Sequence, residues 1–161
     1  MMTRRHTLFR IGAAAAGLRG LFTAAPAQAA RSYEVTRPDA EWQKLLQPAQ
    51  YRVLRKAGTE VPHTSPLNKE KRAGVYSCAG CAHPLFSSAT KFESGTGWPS
   101  FWQAMDKAVV EESDTTLFMK RTEVLCARCG GHLGHVFDDG PKPTGLRYCM
   151  NGVALAFKAS A

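Results

Sequence analysis

No stretch of this chain is apolar and uncharged for long enough to cross a bilayer. The longest, Ile11–Leu18, falls far short of the ~20 residues a helical span requires. Internal repeats are missing, which excludes a solenoid or propeller. A long basic run is missing too, so there is no footprint for nucleic acid. What is present, at 44% hydrophobic and 21% charged residues over 161 positions, suits one soluble globular domain with an appendage. A domain of that size builds one modest core and gains from a metal or disulfide staple.

Asp and Glu are wholly absent from residues 1–29. That segment starts basic, with Arg4-Arg5 after Thr3. It runs through the weakly apolar Ile11–Leu18 and ends Ala27-Gln28-Ala29. A basic start, an apolar middle and an Ala-x-Ala end make an export signal. The paired arginines, the Ala/Gly-rich middle and the interruption at Arg19 favour the twin-arginine route. Residues 1–29 are therefore expected to be cleaved after Ala29, with Ala27 as the alternative. The product would be a periplasmic protein with no stable membrane anchor, and 30–161 would form a single domain. Removing Arg4, Arg5, Arg10 and Arg19 takes the net charge from +8 to +4.

After a short tether, Pro38–Leu46 reads as a helix with Trp42, Leu45 and Leu46 on one face. Pro48 fits the first turn of a second helix carrying Tyr51, Val53 and Leu54, with Gly58 as its stop. Residues 59–73 read as a wrapping loop. From Gly74 the pattern turns to short strands. Candidates are Val75–Cys78, Val109–Glu112, Thr116–Lys120, Val124–Cys126, Gly134–Phe137, Arg147–Met150 and Val153–Lys158. In the last, Val153, Leu155 and Phe157 alternate with Ala154, Ala156 and Lys158. The expected fold is mainly β: antiparallel sheets in a small barrel or sandwich, with short N-terminal helices.

Four of the five cysteines stand in two C-x-x-C knuckles, Cys78–Cys81 and Cys126–Cys129, with 44 residues between them. Two matched knuckles make a closed sulfur site, the pattern of structural zinc. Disulfides are the rival in an exported protein, and a single knuckle can be a redox pair. Cys149 stands outside this set. A lone cysteine is commonly a small buried hydrophobe, but Arg147 and Asn151 flank it at two-residue spacing, on one face of a strand. A guanidinium beside a thiol lowers its pKa.

His132 and His135 sit three apart. Such a pair is structural, part of a metal site, or available for acid–base work once four sulfurs have claimed the metal. Asp139 is near enough in sequence to orient one of them; alternatively Asp138 and Asp139 only shape the turn before Gly140-Pro141. The run Ser94–Trp102 sets Trp98, Phe101 and Trp102 among glycines, either as a packed turn or as an apolar wall beside a site.

The two knuckles, SGTGWPSF at 94–101, CGGHLGHVFDDGP at 129–141 and RYCMN at 147–151, in this order, resemble the B-type methionine sulfoxide reductases from about Trp42 to Phe157. The resemblance implies two antiparallel sheets, one structural zinc on Cys78, Cys81, Cys126 and Cys129, and Cys149 as nucleophile in its thiolate form. It implies that Trp98, within an apolar wall that includes Phe101, packs on the substrate methyl. His132, His135 and Asp139 would handle protons, and Arg147 and Asn151 would tune the nucleophile. The implied substrate is the R epimer of methionine sulfoxide, free or in oxidised proteins. The implied intermediate is a sulfenic acid, recycled by a small thiol or a thioredoxin-like reductant. Thr96 departs from members that carry a resolving cysteine there. The competing readings are a non-catalytic zinc-knuckle binding module and a thiol peroxidase. Assaying sulfoxide and peroxide reduction separates all three.

Overall fold

The computed structural model describes residues 31–115 and 120–161; the expected export signal, and all but Lys120 of the expected strand Thr116–Lys120, lie outside the described residues. Two helices come first, α1 (Asp39–Leu45) and α2 (Pro48–Lys56). Nine strands follow: β1 (Gly74–Cys78), β2 (Pro84–Ser87), β3 (Lys91–Phe92), β4 (Ser100–Phe101), β5 (Val109–Asp114), β6 (Arg121–Cys126), β7 (His132–Phe137), β8 (Arg147–Met150) and β9 (Leu155–Ala159). They form a three-stranded sheet, β2-β1-β9, and a six-stranded sheet, β3-β4-β8-β7-β6-β5, antiparallel throughout. The two sheets do not close on each other, so the architecture is a sandwich and not a barrel.

Aromatic side chains join the sheets. Phe101 of β4 stacks on Phe86 of β2 with ring centroids 4.4 Å apart and meets Tyr76 of β1 edge-on at 4.9 Å. Tyr148 of β8 approaches Phe86 at 5.7 Å. All four are buried. Offset and edge-on pairs of this kind add to the stabilisation from burial alone.

The helices cover one end of the sandwich. Pro48 opens α2 with its ring at a position that has no helical N–H to lose, and Gln47 and Gln50 close a capping box. Val53 and Leu54 face inward and are fully buried, worth about 1.5–3 kcal/mol each. Three expectations shift here. Leu45 is 60% exposed, because α1 ends there and the extended Leu46 turns inward in its place. The left-handed stop of α2 is Ala57 (φ 50°), one residue before Gly58. Val153 sits in a 3-10 turn, Gly152–Ala154, so β9 begins at Leu155, from where the expected alternation holds.

Candidate active site

Cys149 occupies the middle of the large sheet. It pairs with Ser100 across β4 and with His135 across β7. Strand alternation turns its neighbours Tyr148 and Met150 into the core and leaves Arg147 and Cys149 on the opposite face. Cys149, His135, Trp98, Thr59, Arg121, Gly134, Phe137 and Asn151 line an open cleft of about 440 Å³.

The two histidines share a face only because β7 is irregular. Residues three apart on a regular strand point to opposite sides. Here Val124 pairs with Gly134 and Leu125 with His132, which makes Leu133 an extra residue in a bulge. The bulge restores the alternation, and the imidazoles meet edge-on with centroids 5.5 Å apart. Gly134 is needed at this point, because a Cβ there would collide with the carbonyl of Cys149.

The carboxylates behind the histidines are not the expected one. His132 Nδ1 lies 2.6 Å from Glu123 Oε1, and His135 Nε2 lies 2.8 Å from Asp114 Oδ2. Asp139 instead grips Arg147 through two bonds of 2.8 Å, fixing the guanidinium over the Phe137 ring. Burial pushes the His135 imidazole below its usual range, against the raising effect of Asp114. Asp114 also pairs with Arg121 at 2.7 Å.

Cys149 departs from the expected acidified thiol. Burial is the largest influence and pushes its pKa up. Thr96 and Arg147 pull the other way and are outweighed. Phe101, expected beside a substrate, is fully buried in the core with no exposed surface. Asn151 lies past the end of β8 and acts as a brace. Its Oδ1 accepts from Glu60 N at 2.7 Å, and its Nδ2 donates to the bulge carbonyl of Leu133 at 3.0 Å.

Glu60, which the sequence did not mark, holds the other wall. Its carbonyl accepts the Trp98 indole N–H at 3.0 Å, and its buried carboxylate accepts Gly152 N–H at 2.6 Å. Burial raises the Glu60 carboxyl pKa. The indole thus borders the cleft with its N–H tied to the loop after α2.

The other four cysteines converge elsewhere. The sulfurs of Cys78, Cys81, Cys126 and Cys129 all lie within 4.8 Å of one another. Two of the spacings are 3.7 Å (Cys78–Cys129) and 3.5 Å (Cys81–Cys126). Ligands ~2.3 Å from a central zinc at tetrahedral angles stand ~3.8 Å apart, so the donor set and its geometry fit a single such ion. The Gly80 amide donates to Cys78 Sγ, as a metal knuckle requires. Gly130 turns the second knuckle with φ +66°, packed under the Tyr33 ring.

Together these features define a two-sheet β protein with a four-cysteine metal-type centre and a separate cleft lined by Cys149, His135 and Trp98. The SelR domain family matches residues 46–159. The chain is 55% identical over 128 residues to the peptide methionine sulfoxide reductase MsrB of Leptospira interrogans, covering 79% of this chain and 98% of that protein. It is 57% identical over 125 residues to the MsrB of Methanosarcina barkeri (77% and 88% covered) and 59% identical over 119 residues to that of Pseudomonas putida (73% and 90%). The chain belongs to this SelR family of B-type peptide methionine sulfoxide reductases.

Proposed function

We propose that the chain reduces the R epimer of methionine sulfoxide, with Cys149 as nucleophile and His135 as the group that moves its proton. The observation that carries this reading is the pairing of Cys149 directly opposite His135, in a cleft walled by the Trp98 indole.

A sulfoxide oxygen leaves only when protonated. The sulfoxide methyl group would rest on the indole, and its oxygen would point toward His135. The Cys149 sulfur attacks the sulfoxide sulfur while its own proton reaches the oxygen through the imidazole. Attack joins the two sulfurs; that S–S bond and the S–O bond of methionine then break as a Cys149 S–O bond forms, and methionine leaves. Methionine sulfur gains two electrons and Cys149 sulfur loses two, giving a sulfenic acid. Two external thiols then complete the cycle. The first displaces water to make a mixed disulfide, and the second releases Cys149 as thiol and leaves as the oxidised disulfide. One wall and one proton path on fixed sides of the sulfur select a single epimer. His132, held by Glu123, buttresses His135; Arg147, held by Asp139, steadies the charge on the sulfur; and Asn151 ties the end of β8 to Glu60 and Leu133.

Cys78, Cys81, Cys126 and Cys129 would hold one zinc, whose contribution is to the fold. Export by the twin-arginine route belongs to the same reading, on the strength of Arg4-Arg5 and the Ala-x-Ala end. Turnover of the separated R and S epimers with excess dithiothreitol tests the assignment. Cys149→Ser should abolish reduction, and His135→Ala should slow it by roughly 100-fold or more. Full activity in Cys149→Ser, or comparable reduction of the S epimer, would sink the reading.

A further inference from the structure

The segment joining β3 to β4, with the first residue of β4, carries three hydroxyls that the chemistry above leaves unused. Thr96 Oγ1 lies 3.8 Å from Cys149 Sγ, Ser94 Oγ lies 2.8 Å from Thr96 Oγ1, and Ser100 Oγ lies 2.7 Å from Ser94 Oγ. Ser100, fully buried, donates to the Trp98 carbonyl at 3.1 Å. Each hydroxyl owns one proton, so the direction of one bond sets the direction of the row. With Ser100 turned to Trp98, Ser94 donates to Ser100, Thr96 to Ser94, and the Cys149 thiol to Thr96. Every proton in that arrangement has an acceptor, and it suits the protonated sulfur. A thiolate can only accept. To serve it, Thr96 must turn to Sγ, which leaves one link of the row without a proton. That gap falls at the longest link, Ser100 to the Trp98 carbonyl at 3.1 Å, so the row runs from Ser100 to Ser94 to Thr96 to Sγ and the Trp98 carbonyl gives up its donor.

We propose that Thr96, Ser94 and Ser100 form a reversible hydroxyl relay. It runs from Cys149 to the Trp98 carbonyl while the sulfur holds its proton, and back to the sulfur once the proton has gone. The inference rests on Cys149 being the nucleophile. It makes Thr96, which touches the reacting sulfur, a catalytic residue, and makes Ser94 and Ser100 positioning residues that act through it. The relay links the proton on the sulfur to the backbone that carries the Trp98 indole. The other titratable and charged groups around Cys149 are Arg147 on its own strand, with Asp139 behind it, and His135 on β7, backed by Asp114 of β5 and Arg121 of β6. Relay variants leave all of these in place.

The proposal predicts shifts of opposite sign. Thr96→Val takes a weak S–H bond and one hydroxyl bond from the thiol. From the thiolate, once Ser94 and Ser100 turn back to the Trp98 carbonyl, it takes the charge-assisted bond to sulfur, which outweighs those two, so the pKa of Cys149 rises. Ser100→Ala strips two bonds from the thiol arrangement and one from the thiolate arrangement. Ser94→Ala strips two from each, but Ser100 then returns to the Trp98 carbonyl in the thiolate state, so the thiolate's net loss is again one. Both serine variants therefore lower the pKa. The experiment is the pH dependence of iodoacetamide alkylation of the full, metal-replete chain, with Cys149 read by peptide mapping. Thr96→Val should move the midpoint up by roughly one pH unit, the scale of one charge-assisted bond. Thr96→Ser should leave it unmoved, and Ser94→Ala and Ser100→Ala should move it down. Serine variants that leave the midpoint in place or raise it overturn the relay, as does a Thr96→Ser shift equal to that of Thr96→Val. Should Thr96→Val fail to fold, the sign for the two serine variants still decides. Alkylation needs no substrate, so failure of the relay appears in these midpoints, whereas failure of the sulfoxide reading appears in turnover.

Discussion

At Cys149, burial and charge pull in opposite directions, and burial wins. A cysteine nucleophile is ordinarily expected to rest as thiolate, and Arg147 stands close enough to favour that form. The desolvation of Cys149 is larger, so its pKa lies above the 9.0 of an ordinary thiol. His135 moves the other way, below 6.5, again through burial. Between those two values the dominant state at neutral pH is a thiol facing a neutral imidazole. On the proposed mechanism, the proton needed by the sulfoxide oxygen is then already in the site, on the sulfur. Acidification through the lowered pKa of His135 protonates the imidazole and closes the route for that proton; alkali that reaches the raised pKa of Cys149 removes the proton itself. We therefore expect kcat/KM for sulfoxide reduction to be level between pH 6.5 and 9.0 and to fall on both sides. A pH–rate profile over pH 5–10.5 checks this, on a scale set by the usual ionisation ranges of histidine and cysteine. An inflection near neutrality, the mark of a low-pKa thiolate, would contradict it.

At the scale of elements, β7 carries the heaviest constraints. Its bulge at Leu133 brings His132 and His135 to one face, and Gly134 lets β8 pass close enough to set Cys149 against His135. Gly134→Ala should push the β8 backbone away. We expect it to cost about 1–3 kcal/mol of stability, as overpacking does, and to lower turnover at least tenfold, because misplacing reacting groups by about an ångström is that costly. Thermal melting and steady-state rates on the same preparation test this; wild-type turnover would show that the close approach is dispensable. The bulge also explains what the sequence disclosed. The strand runs around Val75, Val109, Val124, His135 and Arg147 were legible as short segments between Gly, Pro and Asp, the one around Leu155 from its alternation, and the knuckles from spacing alone. The short β2, β3 and β4 were not, since two to four residues give alternation nothing to repeat. Nor were Glu123 and Asp114. They reach the histidines across β6 and β5, through a register that no local spacing fixes, whereas Asp139, close by in sequence, is drawn to Arg147. Glu60 acts mainly through its backbone, which composition does not reveal. Phe101 sits in a motif of site residues but alternates into the core.

For the whole molecule, the first question is where it works. If residues 1–29 form a twin-arginine signal, Arg4→Lys with Arg5→Lys should hold the chain in the cytoplasm. Cell fractionation reads this, and unchanged periplasmic amounts would rule the route out. The second question is what the four-cysteine centre does. Cys78 ends β1 in the small sheet, and Cys126 ends β6 in the large one. The centre therefore stitches the two sheets together. Trp42 and Leu54 pack over the knuckle glycine Gly80, and Arg55 donates to the Cys129 carbonyl at 3.1 Å, so α1 and α2 are seated on the same stitch. A structural zinc contributes about 10–16 kcal/mol of apparent binding energy, comparable to the 5–15 kcal/mol by which a typical domain is stable. Stripping the metal should therefore unfold the domain, with loss of the near-ultraviolet signal from the Tyr76–Phe101–Phe86 cluster that bridges the sheets. Zinc returned under reducing conditions should restore that signal and turnover together in the wild-type chain, and the signal alone in Cys149→Ser. Cobalt, which also accepts tetrahedral sulfur ligands, should do the same. If cobalt restored the fold but not the turnover, the metal would have a part in the chemistry, and the division between the four metal-type cysteines and Cys149 would fail.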